Sequence, residues 1–275
     1  MKVQGMRRIK VYDELEFKDD FMFGKVMEDR DLCRGVLECL LQEPVGELEE
    51  VQTQKEFRYT VDGKPIRLDV YNRDSEGIVY DAEMQNLNNK SLEFHQLPRR
   101  SRFYQSAIDI DFMDKGSSYR DLPESKVIFM CTFDPFMRGE SRYTFRECCR
   151  EVNGLELEDG TEKIFFNCTY EGEDIPDRCK KLYDYIENGN VTDVLTGKIH
   201  EAVIRGRKNQ AWRGQYMKER IIRMDMYDEG REDEREEMIF DMLKRGKTVD
   251  EIVDFCGYPY ELVERVEKNM LASVE

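Results

Sequence analysis

The chain has 275 residues and a formal net charge of −16, from 59 acidic and 43 basic side chains, so any binding of nucleic acid would need local basic patches. It contains two histidines, His95 and His200, and eight cysteines without a CxxC pair. These counts argue against a His/Cys zinc site and against Ser-His-Asp or Cys-His catalysis, which leaves carboxylates, amides, lysine and arginine for any chemistry.

Neither a targeting segment nor a membrane span is evident in the sequence. Residues 1–10 are basic, but no apolar run follows them. No stretch approaches the roughly 20 apolar residues that a membrane span needs. Without a secretory signal, reduced thiols are the simplest account of the cysteines. We therefore expect a cytoplasmic protein with no membrane partner. Residues 1–16 are expected to form a flexible N-terminal segment.

An apolar periodicity begins at Phe17 and predicts two helices. Apolar residues recur at three- and four-residue steps from Phe17 to Leu41, which is typical of helices with one buried face. The charged segment 28–31 interrupts this pattern and marks the break between the helices. The second helix is expected to end before Pro44.

Three strands are predicted next, and together they form an antiparallel meander. Residues 51–61 have strand composition and end at a turn signal, Asp62-Gly63-Lys64-Pro65. Residues 66–72 and 77–84 follow as a hairpin around a polar segment that ends in Gly77. Acidic residues lie on both strands of this hairpin.

The hairpin places acidic side chains of both strands on one face. Because side chains alternate across a strand, Asp69 faces the same way as Asp81, Glu83 and Gln85. Paired strands lie about 5 Å apart, so Asp69 and Glu83 can bind a single hard cation. A solvated acidic face explains the same alternation. Glu56, on the preceding strand, is either a further carboxylate of the site or a surface residue.

A basic helix and an apolar strand follow the hairpin. Arg99, Arg100 and Arg102 lie in a helical stretch with Tyr104, at i,i+3 and i,i+4 spacings that put them on shared faces. Such groups can bind phosphate, and the arginines can equally neutralise nearby acids. Residues 126–133 are the most apolar strand candidate, which we expect at the centre of the sheet after a parallel crossover.

Two further strands and a helical region complete the chain. Strands are predicted at 143–151 and 163–170, and helices from Leu182 onward. Residues 198–223 carry eight basic and two acidic side chains, a net of +6, and the acidic segment 228–237 follows, so the two blocks can pair within the chain. A capping box at 248–251 opens a helical hairpin, which is either a packing unit or a DNA-binding element.

Taken in order, these segments resemble the PD-(D/E)XK nuclease superfamily, in its branch of transposases and recombination-promoting nucleases. The resemblance runs through residues 17–170. Gln85 stands where the superfamily pattern has lysine, a variant that this branch commonly carries. The segments that carry the resemblance are the opening helix 20–26, Arg67-Leu68-Asp69-Val70, Ala82-Glu83-Met84-Gln85, the basic-aromatic helix 97–104, the strand at 127–129 and residues 133–136.

The resemblance implies an α/β fold with a restriction-endonuclease-like core, in which helices flank a mixed central sheet, and a helical C-terminal tail. The expected division of the chain has four parts. A flexible N-terminus covers residues 1–16 and a nuclease-like domain covers 17–180. A helical extension with basic then acidic blocks covers 181–245, and a small helical hairpin covers 246–275.

The resemblance also implies a metal-dependent DNA endonuclease linked to recombination or mobile elements. Asp69, Glu83 and the Met84 carbonyl would bind Mg²⁺, or alternatively Mn²⁺. Gln85 would orient the attacking water, because a neutral amide can position a water molecule but cannot deprotonate it.

Accessory residues complete the implied site. Asp20 would add an acid beside the metal, and Glu56 is a weaker candidate for the same role. Contacts to DNA phosphate are expected from Arg99, Arg100 and Tyr104. The alternative function is a weak or inactive nuclease-fold protein that acts as a DNA- or protein-binding module. RNA as the substrate and a homo-oligomeric state stay open.

Overall fold

The computed structural model describes residues 10–49, 51–57, 66–86, 96–113 and 116–272, apart from the side chains of 223, 225–231, 233 and 271–272. Contacts divide the chain into a first unit, residues 1–210, and a second unit, residues 211–275. Among the described residues, no helix combines the length and the apolar character that a membrane crossing requires.

A mixed sheet of six strands lies at the centre of the first unit. The strand order is β1-β2-β3-β4-β6-β5. Strands β1, β2 and β3 pair antiparallel, β3, β4 and β6 pair parallel, and β5 is antiparallel to β6. The strands are β1 (Gln52–Phe57), β2 (Ile66–Arg73), β3 (Val79–Gln85), β4 (Ser125–Cys131), β5 (Arg142–Phe145) and β6 (Thr161–Asn167).

This topology confirms the predicted meander, the parallel crossover and the central position of β4. The turn predicted at residues 62–65 lies outside the described part of the chain. Strand β5 is shorter than the predicted strand 143–151, because the chain leaves the ladder after Phe145, which pairs with Lys163. The α/β class and the mixed sheet with flanking helices are as expected.

Five α-helices belong to the described part of the first unit. Asp29 caps α2 by accepting hydrogen bonds from the main-chain N–H groups of Asp31 and Leu32, which satisfies donors that have no partner within the helix. The predicted break at 28–31 is therefore confirmed. The helices are α1 (Asp20–Met27), α2 (Arg30–Leu41), α3 (Leu97–Phe112), α4 (Asp177–Asn188) and α5 (Val194–Lys208).

Two boundaries differ from the expected division of the chain. Tyr12 and Leu15 are each only 2% exposed, and the Tyr12 hydroxyl donates a hydrogen bond of 2.6 Å to the Gly206 carbonyl, so the flexible segment does not reach residue 16. Helices α4 and α5 bury apolar side chains such as Leu182 and Ile199 and pack against α2. The first unit therefore extends to residue 210, beyond the boundary expected at 180.

The second unit contains α6 (Gln210–Lys244), α7 (Val249–Cys256) and α8 (Tyr260–Ala272). The capping box is present at the start of α7, where the Thr248 side chain accepts from the Glu251 N–H and the Glu251 side chain accepts from the Thr248 N–H. Arg265 of α8 pairs with two glutamates of the acidic block, Glu232 and Glu236. We expected the acidic block to pair with the basic block at 198–223. The structure instead pairs these two acids with α8.

We predict that Phe129 is essential to the packing between the sheet and α3. Its ring is fully buried and stacks on Phe165, with 5.1 Å between ring centroids, and on Tyr104, at 6.2 Å. Phe129→Ala should lower the free energy of unfolding by about 3–5 kcal/mol through lost burial and a cavity. Urea denaturation measures this change.

The matched control is Phe103→Ala on α3, because Phe103 is 44% exposed. Its free energy of unfolding should change by less than about 0.5 kcal/mol. Equal losses in the two variants would contradict the described packing of Phe129.

Candidate active site

Strands β2 and β3 bring Asp69 and Glu83 side by side. The pairing of Tyr71 with Asp81 and of Val70 with Ala82 puts the next pair, Asp69 and Glu83, on the same face of the sheet. The Asp69 main-chain N–H donates a hydrogen bond of 2.8 Å to Glu83 Oε1. The common face inferred from alternation is therefore present.

This acidic face is buried, which overturns the interpretation of a solvated hairpin. Asp69 is 8% exposed, Gln85 7% and Glu83 1%. Helix α3 packs against β2 and β4, and Arg100 of this helix bonds to Glu83. Burial without a counter-charge is costly for a carboxylate, so the partners of these acids define the site.

Arg100 is the basic group at the centre of the site. Its guanidinium donates hydrogen bonds to Glu83 Oε2 at 3.0 Å, to Gln85 Oε1 at 2.9 Å and to the Tyr104 hydroxyl at 2.9 Å. The Gln85 amide in turn donates to the Met84 carbonyl at 3.2 Å. One hydrogen-bond network thus joins Glu83, Met84, Gln85, Arg100 and Tyr104. Of the two roles foreseen for the arginines, the structure describes one for Arg100, the neutralisation of a nearby acid.

Asp81 is a site residue that the sequence interpretation did not select. It is fully buried, and within the described residues neither of its carboxyl oxygens accepts a hydrogen bond. The signal was available, because the alternation that selected Glu83 also places Asp81 on the same face.

The three acids hold protons more tightly than exposed carboxyls do. Burial raises the pKa of the Asp69 carboxyl well above its usual range, and the neighbouring Glu83 raises it further. Burial raises the pKa of Asp81 in the same way, with repulsion from Asp69, and the pKa of Glu83, with repulsion from Asp81. The positive charge of Arg100 opposes the rise at each acid. Arg67 also opposes the rise in the pKa of Asp69, so the three acids face the guanidinium groups of Arg67 and Arg100.

The other predicted site residues are Asp20, Glu56 and Arg99, and they differ in their relation to the acids. Asp20 of α1 raises the pKa of Asp69 and of Glu83 by charge repulsion. Glu56 is exposed on β1 and lies opposite Arg67 in the ladder between β1 and β2. Arg99 is exposed on α3, unlike Arg100 and Tyr104, which belong to the network.

The groups of the site fit a divalent cation. Carboxylates and main-chain carbonyls are the oxygen ligands that Mg²⁺ and Mn²⁺ prefer, and Asp69, Glu83 and Met84 supply them on adjacent strands. The buried Asp81 carboxyl, which lacks a hydrogen-bond donor among the described residues, is a further oxygen group on the same face of the sheet. No three His, Cys, Asp or Glu side chains in the described ranges already stand at metal-binding geometry. Arg100 occupies one of the Glu83 oxygens that a cation would use.

A sequence model of the family described as PD-(D/E)XK nuclease family transposase matches residues 14–167, which is more than half of the chain. The match spans the sheet and α1–α3, so it includes every residue of the site. Neither the curated proteins nor the solved structures include a significant match to the chain.

We predict that Asp81 makes the stability of the metal-free protein depend on pH. Because the buried acids bind protons more tightly in the folded chain, their stabilising effect is full at pH below the usual carboxyl pKa near 4 and is lost as pH rises through the raised pKa values. The free energy of unfolding should therefore fall as pH rises, by up to about 1.4 kcal/mol per pH unit for each proton involved.

Asp81→Asn removes one of these acids, so the fall with pH should become shallower. Urea denaturation between pH 5 and pH 8 with a chelator present measures it. Glu76→Gln, an exposed residue of the same hairpin, is the control and should keep the wild-type slope. An unchanged slope in Asp81→Asn would show that Asp81 does not titrate with the cluster.

Proposed function

The chain belongs to the PD-(D/E)XK nuclease family transposases, and we propose that it is a divalent-metal-dependent endonuclease that hydrolyses phosphodiester bonds of DNA. One observation carries this proposal. Asp69 and Glu83 lie together in a buried site, joined at 2.8 Å through a main-chain N–H, with Gln85 and Arg100 beside them. Burying three acids on one face of a hairpin costs free energy, which a hairpin with a purely structural role would not require.

We assign Mg²⁺, which Mn²⁺ can replace, to Asp69, Glu83 and the Met84 carbonyl. When bound, such a cation offsets the charge that develops on the phosphate and lowers the pKa of a water molecule. Asp20, whose charge acts on Asp69 and Glu83, is proposed as an accessory acid. Glu56 is not assigned a role, because it is exposed on β1.

Gln85 is proposed to orient the attacking water. Its side chain can donate and accept hydrogen bonds but cannot take up a proton, so the proton must go to another acceptor, such as the substrate phosphate. Its position beside Glu83 on β3 and its bond to Arg100 hold the amide at the acidic end of the site. Orientation of a reactant by fixed groups can contribute as strongly as a base.

Arg99, Arg100 and Tyr104 are proposed to bind phosphate groups of the DNA. Arginine matches phosphate oxygens with two parallel hydrogen bonds, and the Tyr104 hydroxyl can donate a third. Arg99 is exposed on the same helix, where it can meet the backbone of a duplex. A link to recombination or mobile elements is part of the same proposal and follows from the family.

A second candidate function is binding of DNA without cleavage. It is favoured by the bond of Arg100 to Glu83, which neutralises a carboxylate that the endonuclease needs for its cation. A protein of this kind would keep the fold and lose the metal. Cleavage assays distinguish the two functions.

We predict that Asp69→Asn and Glu83→Gln each lower the rate of plasmid cleavage in Mg²⁺ or Mn²⁺ by about 100-fold or more, as is typical when a charge-stabilising group is removed. Gel assays of supercoiled plasmid measure the rate, and circular dichroism checks folding. Glu76→Gln, on the same hairpin and exposed, should cleave as the wild type does. Cleavage that survives both site substitutions would refute the assignment, and no cleavage by the wild type in any metal would favour the binding function. Single-stranded DNA and RNA substrates test the substrate class.

We predict that Gln85→Ala lowers the cleavage rate by about 10- to 100-fold, because the water loses its orienting partner. The affinity for Mn²⁺, measured by isothermal titration calorimetry, should stay close to that of the wild type, since no metal ligand is removed. Gln52→Ala, at an exposed position of β1, is the control for both measurements. A large loss of Mn²⁺ affinity in Gln85→Ala would mean that Gln85 acts on the metal site instead.

A further inference from the structure

Both carboxyl oxygens of Glu83 are engaged in the described structure. Oε1 accepts a hydrogen bond from the Asp69 main-chain N–H, and Oε2 accepts one from the Arg100 guanidinium. The Asp69 N–H belongs to the backbone of β2 and is fixed by the sheet. Arg100 is a flexible side chain on α3. The oxygen that a cation can take without disturbing the sheet is therefore Oε2, which Arg100 now holds.

Arg100 has contacts that do not depend on Glu83. Its guanidinium lies over the rings of Tyr104 and Phe129, at 5.2 and 5.6 Å from the centroids, and donates to the Tyr104 hydroxyl at 2.9 Å. Cation–π contacts of this kind stabilise an arginine beside aromatic rings. They would keep Arg100 next to the site after its bond to Glu83 is broken.

Arg100 also has access to an incoming ligand. Its side chain is 32% exposed, whereas that of Glu83 is 1% exposed. Part of the Arg100 side chain thus meets solvent, while its guanidinium bonds to Glu83. A phosphate group that approaches the site from solvent would reach Arg100 before it reaches Glu83.

We infer that Arg100 is a positioning residue that exchanges between two partners. Without metal it neutralises Glu83, and when a divalent cation takes Glu83 Oε2 it turns to a phosphate group of the bound DNA. This inference rests on the proposed endonuclease function. Because cation and phosphate favour the same position of Arg100, each strengthens the binding of the other, as linkage requires.

The first test is a Mn²⁺ titration of the full chain without DNA, followed by isothermal titration calorimetry. Arg100→Gln removes the competing cation and should lower the Kd for Mn²⁺ by about 5- to 150-fold, the usual range of coupling between sites. Arg102→Gln, an exposed arginine on the same helix, should bind Mn²⁺ as the wild type does. Arg100→Lys keeps a charge without the forked geometry and should give an intermediate Kd, which provides the test if Arg100→Gln does not fold.

The second test uses a short DNA duplex and Ca²⁺ as a cation that supports binding. In the wild type, Ca²⁺ should tighten DNA binding, because the cation releases Arg100 to the phosphate. In Arg100→Gln the same addition of Ca²⁺ should tighten DNA binding several-fold less. Fluorescence anisotropy of labelled duplex measures both affinities.

The outcomes separate this inference from the proposed function. If Arg100→Gln binds Mn²⁺ as weakly as the wild type or more weakly, Arg100 does not compete with the cation, and the metal site stands without it. If only Arg100→Gln binds Mn²⁺, the competition is supported. If neither protein binds Mn²⁺, both the metal site and the exchange of Arg100 are refuted.

Discussion

The ion pair between Glu83 and Arg100 is the interaction on which the site depends. Three carboxyls are buried on one face of the sheet, and Arg100 opposes the rise in pKa of each. A buried charge that loses its partner destabilises a protein strongly, whereas a complete pair contributes little net stability. The pair is therefore better understood as a condition for burying the acids than as a source of stability.

The sheet topology explains why this pair can form. The antiparallel register of β2 and β3 places Asp69 beside Glu83, and the parallel pairing of β3 with β4 requires a crossover, which α3 supplies. A crossover helix packs on one face of the sheet. Here that face is the acidic one, so Arg100 and Tyr104 arrive at the acids as a result of the connection.

Several charged residues outside the site also have partners within the chain. Two acids of α6 pair with Arg265 of α8 within the second unit, and Arg207 of the basic block donates to the Leu15 carbonyl in the first unit. These charged groups therefore make contacts within the folded chain. In this acidic chain, the proposed recognition of DNA phosphate depends on a few arginines of α3, among them Arg99 and Arg100.

The sequence by itself determined the antiparallel meander of β1, β2 and β3, the break at 28–31, the capping box of α7 and the common face of Asp69, Glu83 and Gln85, because these depend on local backbone geometry. The tertiary structure alone decided that this face is buried, that Arg100 bonds to Glu83 and that Asp81 lacks a hydrogen-bond donor among the described residues. It also decided that α4 and α5 belong to the first unit. Alternation along a strand predicts which side chains share a face. Whether that face is buried, and which partners its acids have, depends on α3 and other segments that are distant in the sequence.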